Sequence, residues 1–134
     1  MAKAKRVPYF KARIEDKPGA FLALAKELKD KKLDLIALKG IGQAGQGEIL
    51  VVAKNPDALR EAWKDSGILV EEGTVFLLSG TDATGALVTS LDAIANAGVN
   101  IVATEALAVG GKFGAILWVS PEDLDKTAQA LGAI

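Results

Sequence analysis

A turn that joins a strand pattern to a helix pattern occurs twice in this chain, sixty-six residues apart, and this repeat limits the possible folds more than any other feature. The first copy carries Asp16 followed by Gly19, and the second carries Asp82 followed by Gly85. Each lies between a run of alternating apolar residues and an amphipathic stretch. Self-similarity at a fixed spacing indicates a repeated supersecondary unit. We therefore expect two copies of one structural unit.

The first copy follows the order strand, helix, strand, strand, helix, strand. Its opening strand has an apolar side chain at every second position, which is typical of a half-buried strand. Its first helix carries one apolar face at Phe21, Leu24, Ala25 and Leu28. An Asn55-Pro56 start signal and Gly67 bound its second helix. The remaining predicted elements are strands at residues 9–14, 33–39, 47–53 and 68–70 and a helix at residues 20–31.

The second copy begins near Gly73 and repeats this order with its last element missing. Strands are predicted at residues 75–79, 100–109 and 113–119. The second helices of the two copies are only 65 residues apart, so we expect that one residue has been lost from the hairpin region. After Gly132 only two residues remain, too few for a fourth strand. The strand beside the gap would be an exposed edge, which proteins usually cover by pairing or with a partner.

These patterns predict an α+β protein built from two βαββαβ units, each with an antiparallel sheet and helices on one face. The expected domains are residues 1–72 and residues 73–134, the second with a truncated final strand. Units of about 65 residues bury only about 60 % of their unfolded surface, so we expect the two to pack together. The sheet face away from the helices in the second copy is expected to be apolar at Val75 and Leu77, together with Ile116 or Trp118 of the neighbouring strand. An open apolar face of this kind favours dimerisation.

Composition excludes several classes of function. The chain has no cysteine and no histidine, so disulfides, thiol nucleophiles, histidine bases and most zinc, copper or haem sites are ruled out. With 16 basic and 17 acidic residues, nothing favours nucleic acid or an anionic membrane as a partner. The basic cluster of Lys3, Lys5 and Arg6 is interpreted as a frayed, solvated terminus. No apolar run approaches the roughly 20 residues of a membrane span, and we expect a cytoplasmic, non-enzymatic protein.

One glycine pattern resembles a cofactor motif. Residues 40–45 fit G-x-G-x-x-G, but that dinucleotide fingerprint requires a helix to open after the glycines. Here the glycines lead into a predicted strand, so we interpret them as a flexible hairpin loop. The sequence predicts no cofactor.

Both repeated turns resemble the ACT domain family. Residues 16–22 (Asp-Lys-Pro-Gly-Ala-Phe-Leu) precede a second strand that starts at residues 33–36 (Leu-Asp-Leu-Ile), and residues 82–87 (Asp-Ala-Thr-Gly-Ala-Leu) precede residues 98–101 (Gly-Val-Asn-Ile). The resemblance implies ferredoxin-like units that associate side by side. It also implies a small-molecule ligand, typically an amino acid, bound where the first turn of one unit meets the second strand of its neighbour. Such domains usually regulate an enzyme or a transcription factor.

The candidate ligand-binding residues lie in these turns and at the starts of the second strands. They are Asp16, Pro18, Gly19, Ala20, Asp34, Asp82, Thr84, Gly85, Ala86 and Asn100. A helix N-terminus attracts a carboxylate, glycine allows a close approach, and a carboxylate or amide side chain accepts from an α-ammonium group.

The sequence departs from the ACT pattern at two of these positions and leaves alternatives open. Asp34 stands where Asn is typical, and Thr84 stands where Pro is typical, so the two sites are expected to differ. Because Asn100 is retained, the second copy is the favoured site. The acidic residues are alternatively helix caps and the glycines turn formers. The chain would then be a ligand-free dimerisation or scaffolding module, most simply a homodimer.

Overall fold

The computed structural model describes residues 2–81 and 83–133, and it confirms the predicted α+β class. The strands are β1 (Lys3–Glu15), β2 (Leu35–Gln43), β3 (Gln46–Ala53), β4 (Leu69–Gly80), β5 (Ile101–Val109) and β6 (Lys112–Val119). The helices are α1 (Ala20–Asp30), α2 (Pro56–Asp65), α3 (Ala83–Asn96) and α4 (Leu124–Leu131), the last preceded by a 3-10 turn at Pro121–Asp123. The strand order is β2-β3-β1-β4-β6-β5. Pairs β1–β3, β2–β3, β4–β6 and β5–β6 are antiparallel.

The chain divides into two compact units. The first unit is Pro8–Gly73, and the second unit is Thr74–Ile134 together with Met1–Val7. The predicted division also fell near Gly73, but it assigned the first seven residues to the first unit. Strands β1 and β4 are therefore each shared: residues 8–15 of β1 and 69–73 of β4 belong to the first unit, and residues 3–7 and 74–80 belong to the second.

The first unit has the strand order β2-β3-β1-β4 and a core on one face of this sheet. The largest side chains of the core are Trp63 and Phe10, both fully buried. Burial of one large apolar side chain stabilises the fold by about 1.5–3 kcal/mol. Helix α2 begins as predicted, with the side chain of Asn55 accepting from the Ala58 amide at 3.2 Å. Leu24 and Leu28 attach α1 to the same core.

The apolar face predicted for α1 is only half buried. Leu24 and Leu28 are buried, whereas Ala25 is exposed and Phe21 is 38 % exposed. The Phe21 ring lies instead over β2 at Gly40, where a Cβ atom would stand 2.5 Å from the ring. The close approach of Phe21 explains the first glycine of the G-x-G-x-x-G pattern.

The rest of that pattern belongs to the β2–β3 hairpin, as expected, although the strand is longer than predicted. Gly42 pairs with Gly47 inside the ladder. The turn consists of Ala44 and Gly45, with φ angles of 53° and 79°. Two consecutive positive φ angles are typical of the two-residue hairpin turns that match strand twist. No helix follows the glycines, so they do not form a dinucleotide site.

The second unit obtains its last strand from the N-terminal end of β1. Residues 3–7 group with this unit beside β4, and Ala2 and Ala4 pack into its core. Arg6 Nη1 donates to Asp125 Oδ1 of α4 at 2.8 Å. The interpretation of the basic cluster as a frayed terminus is therefore wrong. The sheet lacks a strand from after Gly132, but residues 3–7 fill its place.

Two further expectations for the second unit require correction. The β2–β3 and β5–β6 hairpins have equal lengths and equivalent registers. The missing residue lies before the second helix, because only Ser120 separates β6 from the 3-10 turn, whereas Lys54 and Asn55 separate β3 from α2. The apolar sheet face is not open at Val75, which is fully buried outside both core clusters. Within the described part of the chain, no helix is long and apolar enough to cross a membrane.

Candidate functional site

The turn before α1 holds four of the predicted site residues together. Asp16, Pro18 and Gly19 are exposed, and Ala20 begins the helix. The Asp16 amide donates to the Gly45 carbonyl at 3.2 Å, so the turn is attached to the tip of the β2–β3 hairpin. The turn is thus anchored by backbone at its acidic end.

The N-cap of α1 is Gly19, not Asp16. Gly19 has φ 88°, in the left-handed region, and no side chain accepts a cap hydrogen bond at this end. The interpretation of Asp16 as a helix cap is therefore wrong. Amide protons of the first helical turn have no intrahelical acceptor. The Ala20 amide donates to the Lys17 carbonyl at 3.2 Å, and no side chain of the described residues caps the others. This end of α1 keeps the partial positive charge and donors that suit an anion.

The charges at this turn differ in their pairing. Lys17 Nζ lies 2.9 Å from Glu15 Oε2, and this contact lowers the pKa of the Glu15 carboxyl. Asp16 forms no ion pair with the described residues. Its carboxylate lies against Gly42 of β2, where a Cβ would stand 2.5 Å from Oδ1. Asp16 is therefore the carboxylate of this turn that is available to a ligand.

Asp34 lies at the other end of β2. Ile14, near the end of β1, and Gly42 of β2 both pair with Gly47 of β3, so the turn that follows β1 lies at the Gly42 end of β2. Leu35, which follows Asp34, pairs with Ala53 at the opposite end. At about 3.3 Å per residue, the nine residues of β2 place Asp34 roughly 26 Å from the turn. The Asp34 carbonyl accepts from the Lys54 amide at 3.0 Å. A single unit therefore does not bring Asp16 and Asp34 together.

The second turn has a different conformation. Asp82 lies outside the described residues. Helix α3 begins at Ala83, so Thr84, Gly85 and Ala86 are helical, whereas their counterparts Pro18 and Gly19 precede α1. Thr84 has the amide proton that proline lacks. Gly85 does not have a positive φ angle. The helix consequently starts three residues earlier in this copy, and the predicted turn is part of it.

Asn100 has the same relation to its unit as Asp34 has to the first. It is exposed and directly precedes β5. Gly80, at the end of β4, pairs with Phe113, and Phe113 pairs with Ala108 near the far end of β5. Thr84, Gly85 and Ala86 are therefore separated from Asn100 by the length of that strand. Both units divide the predicted site residues in the same way.

A cavity in the first unit contains Asp34 and was not predicted from the sequence. Its volume is about 560 Å³, and it is lined by Ala25, Leu28, Lys29, Lys32, Leu33, Asp34, Leu35 and Leu38. The lining has leucine walls and three charged groups, none of which forms an ion pair within the described residues. Lys32 adopts a positive φ angle of 57°, which is uncommon outside glycine and asparagine. Two ammonium groups and one carboxylate beside apolar walls suit a small zwitterion with an apolar side chain.

Exposed aliphatic side chains lie on the first helix and on the outer strand of each unit. Leu22 and Val88, Ile36 and Val102, and Ile41 and Leu107 are pairs at equivalent repeat positions, and all six are exposed. Strands β2 and β5 are at the ends of the strand order. In residues 2–81 and 83–133, no group of three or more acidic side chains is suited to hold a metal ion.

Comparisons with known proteins agree with this architecture. The sequence model of a family described as ACT domain pair matches residues 7–131. A protein from Bacteroides thetaiotaomicron has a similar solved structure, with a TM-score of 0.83 and 23 % identity over 96 % of this chain and 88 % of that chain.

The regulatory subunit of aspartate kinase from Thermus thermophilus, in its ligand-free form, has a TM-score of 0.61 and 12 % identity over 98 % and 94 % of the two chains. The subunit from Thermus flavus has a TM-score of 0.58 and 13 % identity over the same shares. At these identities the likenesses show the fold. A search of curated proteins finds no significant sequence match.

Proposed function

The chain belongs to the ACT domain pair family, and from this premise we propose that it is a non-catalytic regulatory protein that binds a small amino acid. The observation that carries the proposal is the start of α1. There Gly19 is left-handed, and the helix has no side-chain cap among the described residues. An α-carboxylate would accept from the free amide protons, and Asp16 would accept from the α-ammonium group.

A second copy of the chain completes this site in our proposal. Asp16 and Asp34 lie at opposite ends of β2. Two β2 strands that run antiparallel bring the turn of one copy to the Asp34 end of the other. The amino acid then lies between them, with Lys29 and Lys32 near its carboxylate and leucines around its side chain. The homodimer is therefore part of the binding function.

We propose the first unit as the competent one. Its turn keeps Pro18 and the left-handed Gly19, whereas Thr84 and Gly85 are helical. The presence of Asn100 had favoured the second copy, but a helix that starts three residues earlier removes the open turn. The second unit then serves as a structural partner of the repeat.

Regulation follows if the ligand binds two arrangements of the protein with different affinity. A ligand at a dimer contact favours the associated state, and a partner enzyme or transcription factor that binds only this state responds to the amino acid. A protein of similar fold is the regulatory subunit of aspartate kinase from Thermus thermophilus. We propose an analogous regulatory role here, in the cytoplasm.

Thermal-shift and calorimetric measurements with each of the twenty amino acids test this proposal. We expect at least one to raise the melting temperature of the wild-type chain at millimolar concentration. Asp16→Ala and Asp34→Ala should each reduce that shift by more than half. Asp65→Asn is the matched control, because it removes one exposed carboxylate from the end of α2 and should leave the shift intact. No response to any amino acid would refute the proposal.

A ligand-free dimerisation module is the second candidate. The exposed aliphatic residues at equivalent repeat positions in the two units favour it, because exposed apolar surface in excess of what a monomer needs marks interaction sites. Sedimentation would then show a stable dimer that no amino acid strengthens. A monomer that dimerises only with an amino acid present would instead favour the regulatory proposal.

A further inference from the structure

Strand β1 is divided between the two units, and its first half completes a sheet formed by the distant part of the chain. Residues 3–7 belong to the second unit, whereas Pro8 begins the first. Within the second unit they lie beside β4, which contributes its residues 74–80 to this unit. We call this side of residues 74–80 the acceptor edge.

Few side chains hold residues 3–7 on the acceptor edge. Ala2 is 7 % exposed, and Ala4 packs against the same core. Lys3 and Lys5 are exposed. The apolar contribution to docking therefore comes from two alanine methyl groups and the half-buried Val7, which is small compared with a buried leucine or phenylalanine anchor.

The ion pair that this segment forms within the described residues is largely solvated. Arg6 Nη1 lies 2.8 Å from Asp125 Oδ1, and the Asp125 side chain is 95 % exposed. Exposed pairs of this kind contribute little to stability. The segment is thus held chiefly by strand pairing, which any identical segment reproduces.

The chain crosses between the units at two places with unusual backbone properties. These are Val7–Pro8 on β1 and Gly73–Thr74 on β4. Pro8 has no amide proton to donate to a strand ladder. Gly73 has no side chain, and a Cβ there would stand 2.5 Å from the Tyr9 ring. Proline and glycine both weaken a strand, so these are the positions at which the backbone of an exchanged segment would change course.

We propose that the acceptor edge binds residues 3–7 of a second copy of this chain, so that two copies form a strand-exchanged dimer. Residues 3–7 lie beside the acceptor edge, and these contacts are identical whichever copy provides the segment. Exchange of an identical element changes only the backbone at the crossing points. An acceptor edge without its segment would be an unpaired strand, which favours capture of a second copy.

Engineered cysteines test the exchange directly, since the chain has none of its own. A Cβ at position 80 would lie 3.9 Å from the Ala2 Cβ, within the roughly 3.5–4.5 Å range of disulfides. An Ala2→Cys copy mixed with a Gly80→Cys copy can form this bond only if the strand is exchanged. We expect a covalent heterodimer on a non-reducing gel after incubation of the mixture near its melting temperature and slow cooling.

Two controls make the result decisive. The double variant Ala2→Cys/Gly80→Cys should form an intrachain disulfide at high dilution, which checks the position of the segment. An Ala2→Cys copy mixed with a Val88→Cys copy should remain unlinked, because Val88 is exposed on α3 and not at the acceptor edge. If the double variant links within the chain while the Ala2→Cys and Gly80→Cys mixture stays monomeric, the proposal is overturned. A double variant that does not link at all overturns it as well.

A charge reversal provides a second measurement that does not depend on complete linking. Arg6→Asp is combined with Ala2→Cys in one copy, and Asp125→Arg with Gly80→Cys in the other. In the exchanged dimer, position 6 of the first copy then faces the opposite charge at position 125 of the second copy. When the same first copy is mixed with Gly80→Cys alone, positions 6 and 125 that face each other both carry carboxylates. We expect about threefold more heterodimer in the first mixture. A lower yield in the first mixture than in the second would contradict the exchange.

Discussion

The carboxylate of Asp16 lies against the backbone of Gly42, so close that a Cβ at that position would stand 2.5 Å from Oδ1. This contact links the turn before α1 to the outer strand of the first unit. In the second unit the equivalent position is Ala108, and the turn before α3 is helical. The unit that has glycine at position 42 is therefore also the unit in which the turn precedes the helix and is not part of it.

Gly42→Ala should displace the Asp16 carboxylate and weaken the amino-acid response. Because the atom in conflict is the end of a short side chain, we expect a loss of about 1 kcal/mol in the free energy of unfolding. In an Asp16→Ala background the same substitution should be neutral or slightly stabilising, since glycine is unfavourable in strands. Urea unfolding of the wild type, both single variants and the double variant gives this coupling. Equal effects of Gly42→Ala in both backgrounds would contradict the contact.

Ser90→Ala should stabilise the second unit. Ser90 is fully buried in α3, and its hydroxyl has no hydrogen-bond partner within the described residues. An unsatisfied buried hydroxyl costs about 1–3 kcal/mol, so its removal should raise the free energy of unfolding by about 1 kcal/mol. Thr127→Val is the matched contrast, because Thr127 Oγ1 donates to the Asp123 carbonyl at 2.7 Å. We expect it to lower stability by a similar amount in thermal or urea unfolding, and a loss of stability in Ser90→Ala would refute the argument.

Local patterns were sufficient to predict the class of fold and the hairpins. The repeated apolar spacing placed Leu24 and Leu28 in a core, and Asn55 marked the start of α2 correctly. The strand at residues 3–7 could not be predicted from the sequence pattern alone, because alanines that alternate with basic residues also occur in a solvated terminus. Their place in the sheet depends on residues 74–80 of β4, which are distant in the sequence.

The site was less predictable because similar residues adopt different backbones in the two copies. Pro18 and Thr84 occupy equivalent positions, but only the threonine can donate an amide proton to a helix. The cavity beside Asp34 includes Lys29, in the last turn of α1, and Lys32, which follows the helix; both belong to a stretch of the sequence that is rich in charged residues. Which charges line a common cavity depends on how α1 lies over β2.

Removal of residues 2–7 should destabilise the distant half of the chain more than the half to which the segment is joined. Trp63 lies in the first unit and Trp118 in the second, so Trp118→Phe and Trp63→Phe each leave one fluorescent reporter. With two alanines and a strand ladder lost, we expect the second unit to lose about 2–3 kcal/mol. The Trp118 signal should then shift to lower urea concentration while the Trp63 signal shifts much less. A larger shift of the Trp63 transition than of the Trp118 transition would contradict the assignment of residues 2–7 to the second unit.

Alkaline pH should weaken the first unit through Tyr9 and Lys11. Burial, reinforced by the Glu71 charge, raises the pKa of Tyr9 above its usual 10.0, and the Glu71 hydrogen bond raises the pKa of Lys11 above 10.5. Because the folded state holds both protons more tightly, their contribution is complete below about pH 10 and is lost as the pH rises through the raised values. Melting temperatures between pH 8 and 11, by circular dichroism, should fall less steeply for Glu71→Gln than for the wild type. The exposed control Glu61→Gln should follow the wild type, and equal slopes for Glu71→Gln and the wild type would refute the assignment.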